Sequence, residues 1–562
     1  MNREQALSLR YELSQLLAET IAAAVRQGVI PEAAKNVPPK VEYPRDPKFG
    51  DYAMPFALEA ARHLRMPPMK IAELIAGYLK ADPRIGLVEV ANPGFINIVL
   101  SGSFLFENTL RVVRERTDYG RSVKQKPRRV NIEFVSANPT GPLNVVSARA
   151  AAVGDSIANL LEFTGDIVDR EFYVNDYGNQ IRLLGLSVLA RMRERRGEPS
   201  NMPEDGYHGE YIRDLAAAID ERYGDEIRRI ADEEERIFFA AQKAVEMNVA
   251  EQKKDLERFG VRFAHWFSER LLHERGEVAE ALECLKATRF VYEEERRILF
   301  RSTAYGDDKD RVLVRDDGRP TYFLADIAYH RNKFARGYET AIDIWGPDHH
   351  GHIARLLAAM EAMGYPKGIL KILIAQQVNL KAEGETVKMS KRLGTFSTMR
   401  DLMDEIGVDV ARYFFTMRSL ESHLDFDIEL AKKESSENPV YYLQYAHARI
   451  CSLFREAEKR GVPYQPSQAE PGPLDNEESA VIMKLIAKFP EEVADAAEKC
   501  EPHRIASFLM RLAQAFHKFY TEHRIITEDH LRSSTYLTLC DAVRVVIASG
   551  LRILGVSAPE RM

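Results

Sequence analysis

Cysteine is scarce and scattered in this sequence. Its four cysteines, Cys284, Cys451, Cys500 and Cys540, show no CxxC or Cys/His spacing. That excludes a zinc-ribbon or disulfide framework and fits a reducing cytoplasm. Long apolar runs are missing too. Runs such as 372–375 and 545–548 fall far short of the roughly 20 residues needed to span a bilayer, so no membrane partner is expected. The opening MNREQALSLR places charged and polar residues where a signal peptide needs an apolar stretch. A basic excess is also lacking. The chain has 78 Lys and Arg against 85 Asp and Glu, a net charge of −7. Composition therefore does not announce a nucleic-acid binder, and a large RNA partner would have to be met by local basic patches. There is no internal repeat and no low-complexity tract.

What is present is an ordinary globular composition, 45% hydrophobic and 29% charged, over 562 residues. That length is too great for one hydrophobic core, so three or more domains in series are expected. Leu7, Leu13, Leu17 and Ile21 recur at helical spacing, with Gly28 as a stop, and predict an amphipathic helix within 1–30. Helices over roughly 52–65 and 69–80 follow. LVEVANPGFINIVL then reads as two strands about the turn Asn92-Pro93-Gly94. From Arg129 the pattern changes. RVNIEFV, IVDREFYV, TAIDIWG and ILKILIAQQV are β-rich runs, each followed by turn or helix signals, which predicts a parallel α/β sheet. Residues 183–300 read mostly as charged helix inserted into that sheet. From Asn438 to Met562 strand patterns vanish and amphipathic helices take over.

Two segments carry chemistry. SANPTGPLNVVSAR at 136–149 lies between a strand run and a helix run. Strand ends that open into helices are where open α/β sheets bind nucleotides, and a helix N-terminus favours phosphate. The plain alternative is an ordinary turn punctuated by Gly141 and Pro142. ETVKMSKRLGT at 385–395 sets Lys388 and Lys391 about Met389-Ser390, between Gly384 and Gly394. Two ammonium groups on such a loop can neutralise charge developing on a polyphosphate, although a bare charge cluster is usually a solvated loop.

Together these segments resemble the signatures of the class I aminoacyl-tRNA synthetases, and within them the arginyl enzymes of the bacterial type. The resemblance runs through RDPKFGDYA at 45–53, IEFVSANPTGPL at 132–143, REFYVNDYGNQI at 170–181 and WGPDHHGHIAR at 345–355. It continues through VKMSKRLGTFSTMRDLMDEIGVDVARYFF at 387–415, LDFDIELA at 424–431 and NPVYYLQYAHARI at 438–450 to SAPERM at the C-terminus. It implies an α/β protein: a Rossmann-type parallel-sheet catalytic domain over 125–430, with a helical insertion at about 183–300. An α+β N-terminal domain over 1–120 would touch the corner of the tRNA, and an all-α domain over 435–562 would read the anticodon.

The resemblance also implies ATP-dependent attachment of L-arginine to tRNA(Arg) through arginyl-adenylate, with release of AMP and pyrophosphate and with Mg2+ as cofactor. It assigns Glu133, Ser136, Asn138, Tyr322 and Asp326 to the arginine pocket. A guanidinium, always charged and presenting five donors in a rigid fork, needs such fixed acceptors and at least one carboxylate. Asp326 is preferred for the salt bridge. Taken alone, Glu133 reads as a strand-end acid and Asp326 as an i,i+4 partner of His330. Pro139, Gly141, Asn144, Ser147, His349, Lys388, Met389, Ser390 and Lys391 fall in the ATP site, with Lys388, Lys391, Asn144 and Ser147 as its catalytic groups. Asn175, Asp176, Asn179 and Gln180 fall in a turn facing the amino acid and the acceptor end. Tyr442, Tyr445, Arg449 and Met562 are implied in anticodon binding, which suits stacking on unpaired bases. His349, His350 and His352 do not have the HExxH spacing, and no metal site is expected.

One segment departs from the family. Class I synthetases carry His-x-Gly-His where this chain has Asn144-Val145-Val146-Ser147. Asn144 and Ser147 keep neutral donors, whereas Val146 adds a branched side chain where Gly would expose backbone. Two rival readings follow: a catalytically impaired paralogue that binds tRNA or arginine, and a class I synthetase for another amino acid such as cysteine. The second meets the objection that the zinc-ligating cysteines of cysteinyl enzymes are missing. A cytoplasmic monomer is expected.

Overall fold

The computed structural model describes residues 8–382, 385–387 and 398–562. They divide into two compact units. One combines the described residues up to Pro127 and residues 163–165 with Glu434–Met562; the other holds Arg128–Glu162 and Asp166–Lys433.

In the first unit, Ser8 caps the helix Leu9–Arg26 by accepting from the Tyr11 backbone N–H, and Leu9, Leu13, Leu16, Leu17 and Ile21 form its buried stripe. The helices Phe56–Leu64 and Pro68–Leu79 fall where two were expected. The strands Ile85–Ala91 and Phe95–Leu100 pair antiparallel about the 92–94 turn. A third strand, Tyr52–Met54, completes that sheet; three residues are too few to show a period of two. The C-terminal part consists of the helices Pro439–Lys459, Glu477–Lys499, His503–Glu522 and His530–Ile553. Asn438 opens it as an N-cap, its side chain accepting from Val440 N–H, with Pro439 at the first helical position.

These two parts share one carboxylate. Glu491, of the helix Glu477–Lys499, is 1% exposed. It accepts from the hydroxyls of Tyr43, Tyr52 (3.1 Å) and Ser8 (3.2 Å) and from the Arg10 backbone N–H (2.5 Å). Burying a carboxylate is tolerated only when its lone pairs are filled in this way. Segments more than 400 positions apart thus share one core.

The second unit is built on a five-stranded, wholly parallel sheet. Its order across the sheet is Leu370–Ile374, Thr340–Trp345, Arg129–Glu133, Ile167–Val174, His265–Ser268. The central strand is covered on both faces, with Val130, Asn131 and Ile132 all at 1% exposure or less, as parallel strands require. The helix Val145–Phe163 packs against it closely enough that a Cβ on Gly154 would lie 2.3 Å from the Phe134 ring. Four of the five strands fall on the β-rich runs seen in the sequence. The fifth, His265–Ser268, lies inside the stretch expected to be helical, as do Val291–Glu294 and Arg297–Phe300. The helical insertion proper runs through Asn179–Arg195, Glu210–Arg229 and Glu233–Arg258. Strands of four residues between charged helices are too short to compete with the helical periodicity around them.

Candidate active site

The chain enters the sheet at its centre, winds outward to His265–Ser268, then returns to the opposite side of the central strand at Thr340–Trp345. The switch point therefore lies between Arg129–Glu133 and Thr340–Trp345, the place where open α/β sheets bind ligands beyond the carboxyl ends of their strands. Glu133 and Asp343 are register partners there.

Directly after the central strand the backbone is strained. Val135 has φ 71° and Ser136 φ 38°, left-handed values that are costly above all for a β-branched residue. Ser136 donates through Oγ to Glu133 Oε1 (2.9 Å) and accepts from the Tyr173 backbone N–H (3.1 Å), so it ties the central strand to Ile167–Val174. Glu133 is itself part of a buried ionic cluster. Lys333 Nζ lies 2.6 Å from Glu133 Oε2 and 2.7 Å from Asp343 Oδ1, and His330 Nε2 lies 2.6 Å from Asp343 Oδ2. Burial pushes the Asp343 carboxyl up, but Lys333 and His330 outweigh it and hold it at about 2. Burial dominates at Glu133 and raises its carboxyl despite Lys333. Asp343 could have been noticed in the sequence as the one acid within TAIDIW. Lys333 gave no signal.

Asp326 is one-third exposed on the helix Tyr322–Ala335, with His352 Nε2 2.6 Å from its Oδ2. Arg355 Nε donates to His352 Nδ1 (2.7 Å), which fixes the ring beside Asp326. Tyr322, at 65% exposure, lines a cavity of about 650 Å³ together with Asp176, Asn179, Tyr177, Phe238 and Arg319. Asp176 accepts from Ser268 Oγ (2.6 Å) and the Arg270 N–H (2.9 Å), so both of its oxygens are held at the end of the edge strand. Asn175 donates to Asn138 Oδ1 (3.4 Å), and Gln180 Nε2 donates to Asn175 O (3.1 Å). The structure thus gathers Asn138, Asn175 and Gln180, and separately Asp176, Asn179 and Tyr322. His349 is exposed in the short turn of 3-10 helix Pro347–His349 at the end of Thr340–Trp345. Lys388, Met389, Ser390 and Lys391 lie outside the described residues.

The unusual Asn-Val-Val-Ser segment is a helix cap. Asn144 Oδ1 accepts from the Ser147 backbone N–H (2.9 Å) and from Ser147 Oγ (3.2 Å), the geometry of an N-cap at the start of Val145–Phe163. Because only oxygen can accept the backbone proton, the amide orientation follows, and Nδ2 is left as the outward donor. Val145 is buried and Val146 half-buried. Two residues on, Arg149 is fully buried and donates to the carbonyls of Gln376 (2.8 Å), Ser419 (2.9 Å) and Ser422 (2.9 Å). Burial lowers this guanidinium to about 10.

In the helical part of the first unit, Tyr442, Tyr445 and Arg449 converge. The Arg449 guanidinium lies 4.5 Å from the Tyr445 ring and 4.6 Å from that of Tyr520. His517 is 4.7 Å from Tyr442, ring to ring, and burial together with Arg449 lowers it to about 4. Sequence reasoning missed His517 and Tyr520, which reach the cluster from another helix. The C-terminal tail is tied to the helix Pro439–Lys459 by His447 at Pro559 O (2.9 Å) and Gln444 at Ser557 O (3.0 Å). Met562 ends that tail half exposed.

A parallel sheet with this switch point, carrying its signature turn at the end of the central strand, defines a class I aminoacyl-tRNA synthetase catalytic domain. Residues 111–418 match the family model for the class I (R) tRNA synthetase catalytic domain. Residues 12–100 match the arginyl-tRNA synthetase N-terminal domain, and 443–562 the DALR anticodon-binding domain. The chain belongs to the arginyl-tRNA synthetase family. An arginine–tRNA ligase of Leptospira interrogans is 45% identical, with 98% of each chain covered. One of Bacillus subtilis is 43% identical over 99% of this chain and 100% of its own. A solved Campylobacter jejuni chain assigned as an arginyl-tRNA synthetase superposes with a TM-score of 0.74 at 38% identity, covering 82% of this chain and 100% of that one.

Proposed function

We infer that the chain attaches L-arginine to tRNA(Arg) with MgATP as the nucleotide substrate. The arginine carboxylate attacks the α-phosphate, the bond to the bridging oxygen breaks, and pyrophosphate leaves. A ribose hydroxyl at the tRNA terminus then attacks the arginyl carbonyl, and AMP departs. Neither step needs a protein nucleophile, so positioning and charge stabilisation carry the catalysis. The observation that carries this reading is the signature turn at the end of the central strand, beside the switch point of the parallel sheet, in a chain that aligns end to end with arginine–tRNA ligases.

In this reading Asp326 pairs with the substrate guanidinium, with Tyr322 and Asn138 beside it. Glu133, already neutralised by Lys333, supplies an acceptor rather than an unpaired charge. The N-terminus of Val145–Phe163, capped by Asn144, faces the triphosphate with neutral donors, and Lys388 and Lys391 bring positive charge to it. The exposed rings of Tyr177, Phe238 and Tyr322, with Arg319 and Arg182 on the same cavity, suit a stacked terminal base of the tRNA. Tyr442, Tyr445 and Arg449 suit the anticodon. A cytoplasmic monomer fits a reaction whose substrates are cytosolic, and no helix among the described residues is long and apolar enough to cross a membrane. The impaired-paralogue reading is disfavoured, since Asn144 and Ser147 form a well-made cap rather than a damaged loop.

The test is ATP–pyrophosphate exchange with arginine, with and without tRNA, followed by charging of tRNA with arginine, lysine or citrulline. Exchange dependent on arginine, and charging with arginine alone, are expected. Efficient charging with citrulline would remove Asp326 from the pocket, because that uncharged ligand leaves the carboxylate unpaired.

A further inference from the structure

The insertion helix Glu233–Arg258 presents one face to the signature turn. Asn248, Glu251, Gln252 and Asp255 sit at i, i+3, i+4 and i+7 and so share a side of the helix. Asn248 Nδ2 donates to Pro139 O (2.8 Å), and Gln252 Nε2 donates to both Asn138 O (3.1 Å) and Gly141 O (2.8 Å). Gln252 is 1% exposed. On the same face, Glu251 Oε2 and Asp255 Oδ1 accept from Arg400 at 3.0 and 2.8 Å. Arg400 belongs to the helix Met399–Ile406, whose first N–H donates to Leu143 O (2.8 Å). One helical face therefore grips the turn of 138–141 and, beside it, the helix that follows the second signature.

We propose that Asn248 and Gln252 are positioning residues for arginine activation: they set the shape of the Asn138–Gly141 turn by pinning three of its carbonyls. A single buried amide bonded to two carbonyls three positions apart fixes the path between them. That path carries Asn138 and leads into the first N–H groups of Val145–Phe163. The left-handed residues Val135 and Ser136 just before the turn persist only where their surroundings over-determine them, and these amides help to do so. Neutral donors suit the task, since they satisfy the carbonyls without adding a charge that would compete for the triphosphate. The proposal rests on the arginyl-adenylate reading.

The test is ATP–pyrophosphate exchange by the full chain with arginine and tRNA. Gln252→Met keeps the length and apolar burial of the side chain and removes its donors. A displacement of about 1 Å at a reacting group can cost about 100-fold, so kcat is expected to fall about 10- to 100-fold. The Kd for tRNA should stay near that of the unmodified chain, and the variant should remain folded at the assay temperature, with its thermal midpoint lowered only by the carbonyls left unpaired. Gln252→Glu, which offers acceptors to carbonyls, should fall at least as far. Unchanged exchange in Gln252→Met would overturn the proposal. Should that variant fail to fold, the half-buried Asn248 decides: a several-fold loss in kcat for a stably folded Asn248→Ala supports the role, and a full rate overturns it. If the unmodified chain shows no exchange with arginine, the functional reading itself fails, and that outcome is distinct from the other two.

Discussion

The buried cluster of Glu133, Lys333, Asp343 and His330 and the stacked cluster of Arg449, Tyr445, Tyr520 and His517 handle cations in opposite ways. In the first, Lys333 has no exposure and touches two carboxylates, so its charge is cancelled where it stands. In the second, Arg449 lies between two rings, with a tyrosine hydroxyl and a histidine nitrogen as its polar partners. A charge held by rings keeps its attraction for an incoming polyanion, whereas one held by two carboxylates does not. The first arrangement locks its cation into the buried core, and the second is the one that, on the proposed reading, would meet RNA.

The largest effect that would test this contrast is expected at Lys333. Lys333→Met should leave Glu133 and Asp343 buried without their shared cation, a loss of about 3–5 kcal/mol, read by chemical denaturation of the sheet unit. A loss below about 1 kcal/mol would mean that the carboxylates take up protons at little cost and the cluster is not ionic. Next comes Asp326→Asn, which keeps the shape of the side chain and removes its charge. It should reduce kcat/KM for arginine by about 1.5–3 kcal/mol, the usual worth of a charged hydrogen bond, with the KM for ATP little changed. Equal losses for both substrates would place Asp326 outside the guanidinium pocket.

Arg449→Ala should weaken tRNA binding by about 1–3 kcal/mol, the range for losing a stacking contact to a base, with the KM for arginine unaltered. Direct titration of tRNA checks it, and unchanged affinity would make the ring cluster a packing device. Asn144→Ala removes the cap and should cost about 1 kcal/mol of stability, together with a fall in exchange rate. The smallest effect concerns pH. His517 is held at about 4, below the usual histidine value of 6.5, so the unfolded chain takes up a proton before the folded one does. Stability of the helical unit should be complete above about 6.5 and decline as pH falls toward 4. Melting at pH 7 and pH 5 should show that decline, and His517→Gln should flatten it.

Much of the sheet was legible because its strands are continuous apolar runs bounded by turn residues; RVNIE and TAIDIW need no partner to be recognised. His265–Ser268 was not, since four residues among charged helices carry too little periodicity. In the candidate site, Glu133, Asn138 and Asp326 were singled out through the motifs that contain them. Lys333 and Gln252 were not, because a side chain acquires a positioning role only when folding brings it to a distant carboxylate or carbonyl.

The sequence by itself determined four of the five strands of the parallel sheet, the all-helical C-terminal stretch and the family, since each rests on local periodicity or on contiguous motifs. Tertiary structure alone decided that the N-terminal and C-terminal segments share one unit around Glu491, that Lys333 neutralises Glu133, and that the insertion helix grips the signature turn. Each of those joins residues more than a hundred positions apart. Their complementarity depends on distance and direction in the folded chain, which no local pattern of residues records.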